Sequence, residues 1–331
     1  MNSIENRYEV IALVEARMCN PNGDPDMANR PRVDMETNRG IITDVAFKAR
    51  MREYVLNAYS DKSGCEILIQ NGASINKAIA EAVLEANGTD KLKDDNKKVD
   101  ESAAIMCARY WDVRTFGAVL STGLNAGQIR GAAQVGMSLS VDPIETNVMS
   151  LTRRCYTEGK YKTISEYVSA DAKMKDDKKR TFGDKAYTPY GLYVFKMTIS
   201  ANLAQKVGFS EEDLKILLEA LVSMYDDASA SKMGMSVLSP VIVFKHVGHN
   251  TGNADEIARE KKLGCAPAYK LFDLLTVVKK NDVDAPRAYT DYDIQLDLSK
   301  LPDGVICGAK YDAFSDIEWF DTHESICIMN T

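Results

Sequence analysis

RYEVIALVEAR, residues 7–17, is the stretch that decides the fold of this chain. Alternate positions place five apolar side chains on one face of a strand, namely Tyr8, Val10, Ala12, Val14 and Ala16. The opposite face is apolar at its centre, with Ile11 and Leu13, and polar only towards its ends. A strand that is apolar on both faces is covered on both faces, so the stretch predicts a central strand of a sheet.

Helices and further strands follow this strand in a regular order. Thr43 is the expected N-cap of a helix over Asp44–Tyr59, in which Lys48 and Arg52 lie one turn apart on the solvent side. The other expected elements are strands over Met137–Val141, Gly191–Ala201 and Pro240–Val247, and a helix that begins at a capping box of Ser210 with Asp213 and ends near Ala230. The order β-α-β-β-α-β predicts an α+β fold, a ferredoxin-like or RRM-like palm with large insertions.

Three segments are too long to be simple connections in such a palm. Residues 18–43 contain three prolines and two glycines, so they predict a long irregular loop, and loops of this length are usually functional. Residues 60–110 predict a helical insertion that carries a polar stretch at 87–102. Residues 144–190 interleave basic and aromatic side chains between two strands, which predicts a projecting hairpin suited to single-stranded nucleic acid. Together they predict a single elaborated domain, residues 1–331.

Composition and charge limit the classes of protein that this sequence fits. The hydrophobic content of 45% and charged content of 27% are those of a globular chain, and no apolar run reaches the roughly 18 residues of a membrane span. The seven cysteines contain no CxxC pair, so we expect free thiols in the reducing cytoplasm and neither a metal nor another cofactor. The net charge is −7, but residues 281–331 hold 11 acidic and 3 basic residues, which leaves the rest near neutral. A nucleic-acid partner is therefore compatible with the acidic total.

The segment from Tyr110 to Pro143 carries five of the 20 glycines. Glycine is used where the backbone turns with positive φ or approaches something closely, which here is either a neighbouring element or a ligand. The polar side chains near these glycines are Asn125, Gln128, Arg130 and Gln134. Amides and one arginine without a nearby carboxylate favour a phosphate backbone as the ligand. A dinucleotide turn is not favoured, because the GxGxxG spacing is absent.

Three groups of motifs resemble a known family. They are NPNGDPD, NRPRVDMET and RGIITD in the first loop; WDVRTFGAVLSTG, NAGQIRGAAQ and SLSVDPI in the glycine segment; and GFSEEDLKILLEAL with GCAPAYKLFD further on. In these stretches the chain resembles the repeating backbone subunit of the type I CRISPR surveillance complex, Cascade, and is most similar to its I-C form. The resemblance covers most of the chain and is weakest at 87–102 and 170–185.

The resemblance implies an RRM-like palm, a projecting thumb hairpin and a non-catalytic role. Several copies would assemble head to tail along one guide RNA (crRNA), beside the other Cascade subunits. Each thumb would push one nucleotide out of the stack and leave the intervening bases free to pair with target DNA, so that base pairing reads the sequence and the protein reads the backbone.

The resemblance and the chemistry of the side chains suggest candidates for RNA contacts. These residues fall in the first loop, the first helix, the glycine segment, the thumb base, a later turn and the end of a later strand. They are Asn20, Asn22, Arg30, Arg32, Lys48, Arg52, Gln128, Arg130, Gln134, Arg153, Arg154, Lys232 and Lys245. Met149 and Tyr187 are the candidates for the wedge of the thumb.

Other interpretations stay open from the residues alone. Asp24, Asp26 and Asp34 allow a metal-dependent ribonuclease. Asn20, Asn22, Asp24 and Asp26 resemble a calcium-binding loop, but Gly23 does not stand where such a loop requires its glycine. His246 and His249 form an HxxH pair without the glutamate of a zinc-protease motif. A module that binds only other proteins is a third possibility.

Overall fold

The computed structural model describes residues 2–88, 98–155, 159–170, 181–321 and 324–327. Its strands are β1 (Tyr8–Cys19), β2 (Gly23–Asp24), β3 (Arg30–Pro31), β4 (Arg39–Ile42), β5 (Ala118–Val119), β6 (Gln128–Ile129), β7 (Ala133–Val135), β8 (Ser138–Pro143), β9 (Asn147–Arg153), β10 (Thr181–Ile199), β11 (Met235–His246), β12 (Leu275–Lys279), β13 (Tyr292–Asp297), β14 (Val305–Lys310), β15 (Glu318–Trp319) and β16 (Ser325–Cys327). Its helices are α1 (Asp44–Ala58), α2 (Ile75–Asn87), α3 (Val99–Arg109), α4 (Trp111–Phe116), α5 (Ile164–Ala170), α6 (Ala201–Val207), α7 (Glu211–Ser223), α8 (Ala254–Leu263) and α9 (Ala268–Phe272). Among the residues described, no helix has the length and apolar character needed to cross a membrane.

The main antiparallel sheet is built around β1, as the sequence predicts. Its strands follow the order β15-β14-β11-β1-β10-β8-β4, and β7 and β9 pair with other parts of β10. On one side of β1, Tyr8 lies opposite Ile199 and Cys19 lies opposite Thr188 of β10. On the other side β1 pairs with β11. Because strands hydrogen-bond to it on both sides, β1 is an interior strand, which confirms the prediction from its two apolar faces.

β10 takes part both in the main sheet and in a hairpin with β9. Its residues 188–199 lie in the main sheet beside β1, whereas residues 181–187 pair with β9, from Thr181 opposite Arg153 to Tyr187 opposite Asn147. The two strands therefore form a hairpin that extends past the end of β1, and α5 lies in the connection between them.

Two groups of elements cover the faces of β1. On one face Val10 packs in the largest hydrophobic cluster with Phe47 of α1 and Leu217 of α7. On the other face Ile11 belongs to a cluster with Leu296 of β13 and with α9. Helices thus cover one face of the central strands, and the small sheet β12-β13-β16 with α9 covers part of the other.

Local sequence signals explain where the two long core helices begin. The Thr43 side chain accepts a hydrogen bond from the first turn of α1, and Ser210 and Asp213 form the expected capping box of α7. Both predicted helix starts are confirmed. The predicted end of the second helix near Ala230 is wrong, because α7 stops at Ser223 and the following residues form hydrogen-bonded turns.

β11 begins earlier than the predicted strand. It starts at Met235 instead of Pro240, because the pairing with β1 continues past the proline through a shift of register between Ile11 and Leu13. Proline has no N–H for the ladder, and an irregularity in the pairing accommodates it.

The 60–110 region contains α2 and α3. Their apolar faces meet in a separate cluster that includes Ile79 and Met106. The middle of the polar stretch that the sequence places at 87–102 falls on residues 89–97, which lie outside the described residues.

Candidate nucleic-acid interface

Most of the candidate residues for RNA contact lie towards the two ends of β1, whereas Arg153 and Arg154 lie on the hairpin beyond it. At its C-terminal end β1 leads into the 18–43 loop, beside the base of the hairpin and close to the turn that carries Lys232. At its N-terminal end Lys245 lies opposite Tyr8, and Gln134 lies opposite Thr198 of the neighbouring strand. The 12 residues of β1 put the two ends about 36 Å apart. The candidates beside β1 therefore form two groups.

Hydrogen bonds within the 18–43 loop fix its shape. The Asn20 side chain is buried and donates to the carbonyl of Asn29 at 2.7 Å, which closes the loop upon itself. The amide oxygen of Asn22 accepts from the backbone N–H of the α1 N-cap residue at 3.0 Å. Arg32 pairs with Asp24 at 3.1 Å. These three candidates hold the loop in the structure, whichever of them also meets a ligand.

Lys232 reaches into the start of the same loop. Its Nζ donates to the carbonyl of Asn20 at 2.6 Å and to the carbonyl of Pro21. Burial lowers the pKa of Lys232 to about 8. The ammonium group is thus committed to the protein's own backbone.

The two candidates on α1 are also paired. Lys48 lies 2.8 Å from Asp44, one turn earlier on the helix. The predicted solvent-side position of Arg52 is wrong, because its side chain is buried and its Nε lies 2.8 Å from the buried carboxylate of Asp112. That carboxylate is 60 residues away in the chain and requires a cation beside it. Arg52 therefore faces the interior and not the solvent.

The glycines of the 110–143 segment approach the chain's own backbone. A Cβ on Gly131 would lie closer than 3.0 Å to backbone atoms of Gly117 and Thr115, and a Cβ on Gly117 would lie equally close to the backbone of Ile129 and Gly131. Gly117 also has a φ of 87°. The backbone therefore crosses itself at these two glycines. Of the two possibilities that the sequence left open here, a neighbouring element or a ligand, the structure shows the first.

The remaining candidates in the loop, the glycine segment and the hairpin are exposed. Arg30 is exposed in the loop, and Gln128 and Arg130 lie just before Gly131 of the crossing. The predicted position of Arg153 and Arg154 at the base of the thumb is wrong, because Arg153 pairs with Thr181 at the end of the hairpin far from the main sheet, and Arg154 follows it. Within the described part of the chain none of these four arginines forms an ion pair. These side chains are available for contact with an anionic ligand.

The two candidates at the other end of the sheet have partners inside the chain. The Gln134 side chain donates to the carbonyls of Gly131 and Ala133, at 3.0 and 3.1 Å. The Lys245 Nζ lies 5.8 Å from the ring centres of both Tyr8 and Trp319. The two rings attract the ammonium through cation–π interaction, while the side chain stays partly exposed.

The wedge candidates lie on the two strands of the hairpin. Met149 of β9 lies opposite Lys185 and is 38% exposed, and Tyr187 of β10 lies opposite Asn147 and is half-buried. Met149 is thus near the middle of the hairpin and Tyr187 is at its base.

The carboxylates considered for a nuclease accept hydrogen bonds within turns of the 18–43 loop. Asp24 accepts from the backbone N–H of Asp26 at 3.1 Å, besides its pairing with Arg32. The Thr37 hydroxyl donates to Asp34 at 2.5 Å and lowers the pKa of that carboxyl. In the ranges that the structure describes, no three acidic, histidine or cysteine side chains come together as metal ligands.

The HxxH pair is divided between two separate interactions. The backbone N–H of Cys265 donates to His246 Nδ1 at 3.0 Å, so the opposite nitrogen carries the proton and donates to Glu9 at 2.6 Å. His249 instead lies 2.9 Å from Glu260. Both nitrogens of His246 are therefore engaged within the protein.

Sequence reasoning missed the charged residues that position the glycine segment. Asp112 and Arg114 lie on α4 and are buried. Asp112 accepts from Arg52 and from the backbone N–H groups of Leu68 and Ile69. The signal was present in the sequence as an acid and a base inside the apolar run YWDVRTF, since charges in such a run are buried only when paired.

The fold and the site define a mixed α and β protein with exposed polar and basic side chains towards both ends of an antiparallel sheet. The sequence matches the family described as CRISPR-associated protein Cas7 over residues 6–297, and the chain belongs to this family. A CRISPR-associated protein Cas7 of Haloferax volcanii is 25% identical over 229 residues, which are 64% of this chain and 62% of the relative. The chain thus matches less than two thirds of the length of that relative.

Two chains of solved structures are also similar to this one. A chain of a "CRISPR RNA-guided surveillance complex" is 14% identical and matches over 96% of this chain and 95% of its own length, with a TM-score of 0.46. A chain of a "CRISPR RNA-guided surveillance complex, pre-nicking" is 14% identical over 72% of this chain and 75% of its own, with a TM-score of 0.43.

Proposed function

We propose that this protein is a backbone subunit of a type I CRISPR surveillance complex, of the I-C form, and that several copies assemble head to tail along one guide RNA. Membership of the Cas7 family supports the proposal, as do the three groups of motifs. The observation that carries it is the exposed arginine set, Arg30, Arg130, Arg153 and Arg154. Guanidinium groups suit phosphate oxygens because their planar donors match them.

The sheet topology supports an RRM-like palm. The strands β11-β1-β10-β8, with α1 after β1 and α7 after β10, follow the strand order 4-1-3-2 of a ferredoxin-like βαββαβ unit. The 18–43 loop, the 60–110 helical region and the 144–190 hairpin are then insertions into one domain. In this arrangement the two ends of β1 are about 36 Å apart, so one ligand reaches both groups of candidates only if it is extended, as a nucleic-acid strand is.

The hairpin is proposed as the thumb. All seven residues of β9 are exposed, and apolar side chains stand out from the hairpin and from α5, among them Leu151, Phe182, Ile164 and Val168. A two-stranded hairpin with both faces in water is only marginally stable by itself, which favours a covered state against RNA and a second copy. Met149 and Tyr187 are the proposed wedge that displaces one nucleotide.

The proposed role is that of a scaffold in the cytoplasm. The guide presents its bases for pairing with target DNA, and the protein holds the guide's backbone without cleaving it. Further copies of the chain and the other subunits of the complex are the proposed protein partners.

The proposal is tested by RNA binding of the purified protein as a function of salt. We expect nucleic acid to co-purify with the wild type, and the affinity for a guide containing the CRISPR repeat to fall as salt rises, because phosphate contacts release counterions. Arg130→Ala should reduce the slope of log affinity against log salt by about 0.7, the value for one contact with a single strand. Lys215→Ala, on the exposed side of α7, is the matched control and should leave the slope unchanged.

A monomer that does not bind repeat-derived RNA at moderate salt would refute the proposal. Retention of full binding and full slope by Arg130→Ala, with a binding wild type, would remove Arg130 from the interface and leave the other three arginines to be tested in turn.

A further inference from the structure

Strained backbone is concentrated in the 18–43 loop. Met18, Ala28, Asn29 and Asn38 have φ angles of 47°, 53°, 57° and 54°. Throughout the described ranges, these four are the only non-glycine residues with positive φ. Such conformations persist only where surrounding contacts hold them, and they cluster at ligand clamps and switch regions. The loop therefore requires an anchor outside its own local hydrogen bonds.

The turn that follows α7 supplies this anchor. The backbone N–H of Asn20 donates to the carbonyl of Ser231 at 3.1 Å, and the Lys232 ammonium closes over the carbonyls of Asn20 and Pro21. The residues joined here are 211 and 212 positions apart in the chain, so the contact ties the loop to the end of the core helix. Hydrogen bonds from a charged donor are stronger than neutral ones.

We propose that Lys232 is a positioning residue, whose amino group locks the start of the strained 18–43 loop and so presents Arg30 to RNA without itself contacting phosphate. The inference rests on the proposed function, because the loop is taken to meet the guide. It differs from the sequence-based prediction, in which Lys232 itself touched RNA. Two of the three donors of the ammonium are already used by backbone carbonyls, and the side chain is partly buried.

The first test is limited proteolysis of the protein free of RNA. Trypsin can cleave after Arg32 and after Arg39 in the 18–43 loop, whereas the bond after Arg30 is protected because Pro31 follows it, and cleavage after Arg39 is the product that is followed. Lys232→Met keeps an unbranched side chain one atom shorter and removes its charge, and we expect it to speed cleavage after Arg39 roughly tenfold to a hundredfold, the effect of losing a charged hydrogen bond. Lys215→Met is the matched control and should cleave as the wild type does.

Thermal unfolding of the same variants separates a local change from a global one. We expect Lys232→Met to unfold cooperatively near the wild-type temperature while its loop is cleaved faster. Cleavage after Arg39 at the wild-type rate would overturn the proposal. Loss of cooperative unfolding would overturn it too, because Lys232 would then support the core and not the loop.

The pH dependence of loop opening identifies the Lys232 amino group as the group responsible, because the neutral amine still has the two N–H donors that the carbonyls of Asn20 and Pro21 accept. Burial lowers the pKa of Lys232 to about 8, Cys19 on β1 raises it and Arg50 on α1 lowers it. When the loop opens, the amine is solvated and returns to its ordinary pKa of about 10.4. Between these values the open state binds more protons, so opening becomes less favourable as pH rises, by up to about tenfold per pH unit.

The rate of cleavage after Arg39 is therefore compared at pH 7.5 and at roughly one unit above pH 8. At pH 7.5 no change is expected relative to lower pH. An unstructured peptide with the sequence of the loop corrects for the pH dependence of trypsin's own activity. The wild type should be cleaved several-fold more slowly at the higher pH, and Lys232→Met should lack this change. An equal pH response in both proteins would overturn the assignment to Lys232.

Binding of guide RNA distinguishes positioning from contact. We expect Lys232→Met to weaken binding while the salt slope stays at the wild-type value, because every phosphate contact is still formed in the complex. A slope reduced by about 0.7, as expected for Arg130→Ala, would show that Lys232 contacts phosphate and would overturn the proposal. If the wild type itself binds no RNA, the proposed function fails, and the cleavage data still decide whether Lys232 holds the loop.

Discussion

Replacing Arg114 by methionine should destabilise the protein by about 3–5 kcal/mol, the cost of leaving one member of a buried ion pair without its partner. Arg114 on α4 meets Asp213 on α7 through two parallel bonds of 3.0 and 2.7 Å, and both side chains are at most 10% exposed. Its third nitrogen, Nη1, donates to the carbonyls of Gly64 and Cys107, at 2.6 and 3.2 Å. One guanidinium therefore joins α4, the helical insertion and the start of α7.

A second substitution separates the charge from the rest of the side chain. Asp213→Asn removes the carboxylate charge while keeping an oxygen for the capping box with Ser210. In the double variant Arg114→Met with Asp213→Asn, no charge is left buried without a partner. We expect the double variant to be more stable than the sum of the two single changes predicts, by about 2–3 kcal/mol, which is the upper range for residues in direct contact.

Urea unfolding of the RNA-free protein measures these differences. Trp111 is fully buried next to the site and reports its opening by fluorescence. At an m-value of about 3 kcal/mol/M, a loss of 3–5 kcal/mol lowers the midpoint by about 1–1.7 M. Lys215→Met is the control, because its partner Asp316 is 3.6 Å away and both are largely exposed, so the midpoint should hardly move. A loss below about 1 kcal/mol for Arg114→Met, with no coupling, would refute the reasoning.

Two further predictions concern the same unfolding measurement. Gly131→Ala should lower the free energy of unfolding by more than about 2 kcal/mol, because the added Cβ meets backbone that has no room to move. Gly136→Ala should change it by no more than about 0.5 kcal/mol, since the nearest atom to its Cβ would be 3.8 Å away. Equal losses in the two variants would argue against the crossing of the backbone at Gly131. Glu9→Gln should cost about 1–3 kcal/mol, because the buried His246 then loses a charged acceptor, while the exposed Glu5→Gln should be neutral, and equal midpoints would contradict this.

The parts of the fold that the sequence predicted are those with local signals. The central position of β1 follows from apolar residues on both faces of one short stretch, and the start of α7 follows from Ser210 and Asp213, three residues apart. The helix end was missed because Ser223 carries no terminating glycine or proline, and only the hydrogen bonds of the next turn stop the helix there. Local patterns specify starts better than ends here.

The site was harder to predict because partners distant in sequence decide the role of each charge. Arg52 has the spacing of a solvent-facing residue, but its partner Asp112 is 60 residues away. Lys232 lies in a polar turn, but its acceptors are 211 and 212 residues away. Gly117 and Gly131 lie against each other's backbone, and the sequence around either glycine alone does not reveal this contact. In each case a tertiary contact overrides what the neighbouring residues indicate.

Arg52 and Lys232 are paired inside the protein whereas Arg130 is exposed, and this difference affects how mutational data on RNA binding must be interpreted. Loss of Arg52 leaves Asp112 buried without its cation, and loss of Lys232 removes two hydrogen bonds to the loop, so we expect both changes to lower RNA retention without removing a phosphate contact. Arg130 is exposed and pairs with no acid in the described ranges, so its loss removes a charge that nothing inside the protein uses. A measurement of RNA affinity alone therefore does not distinguish variants of these three residues. Because counterion release counts phosphates and a weakened fold does not, the salt slope separates Arg130 from Arg52 and Lys232.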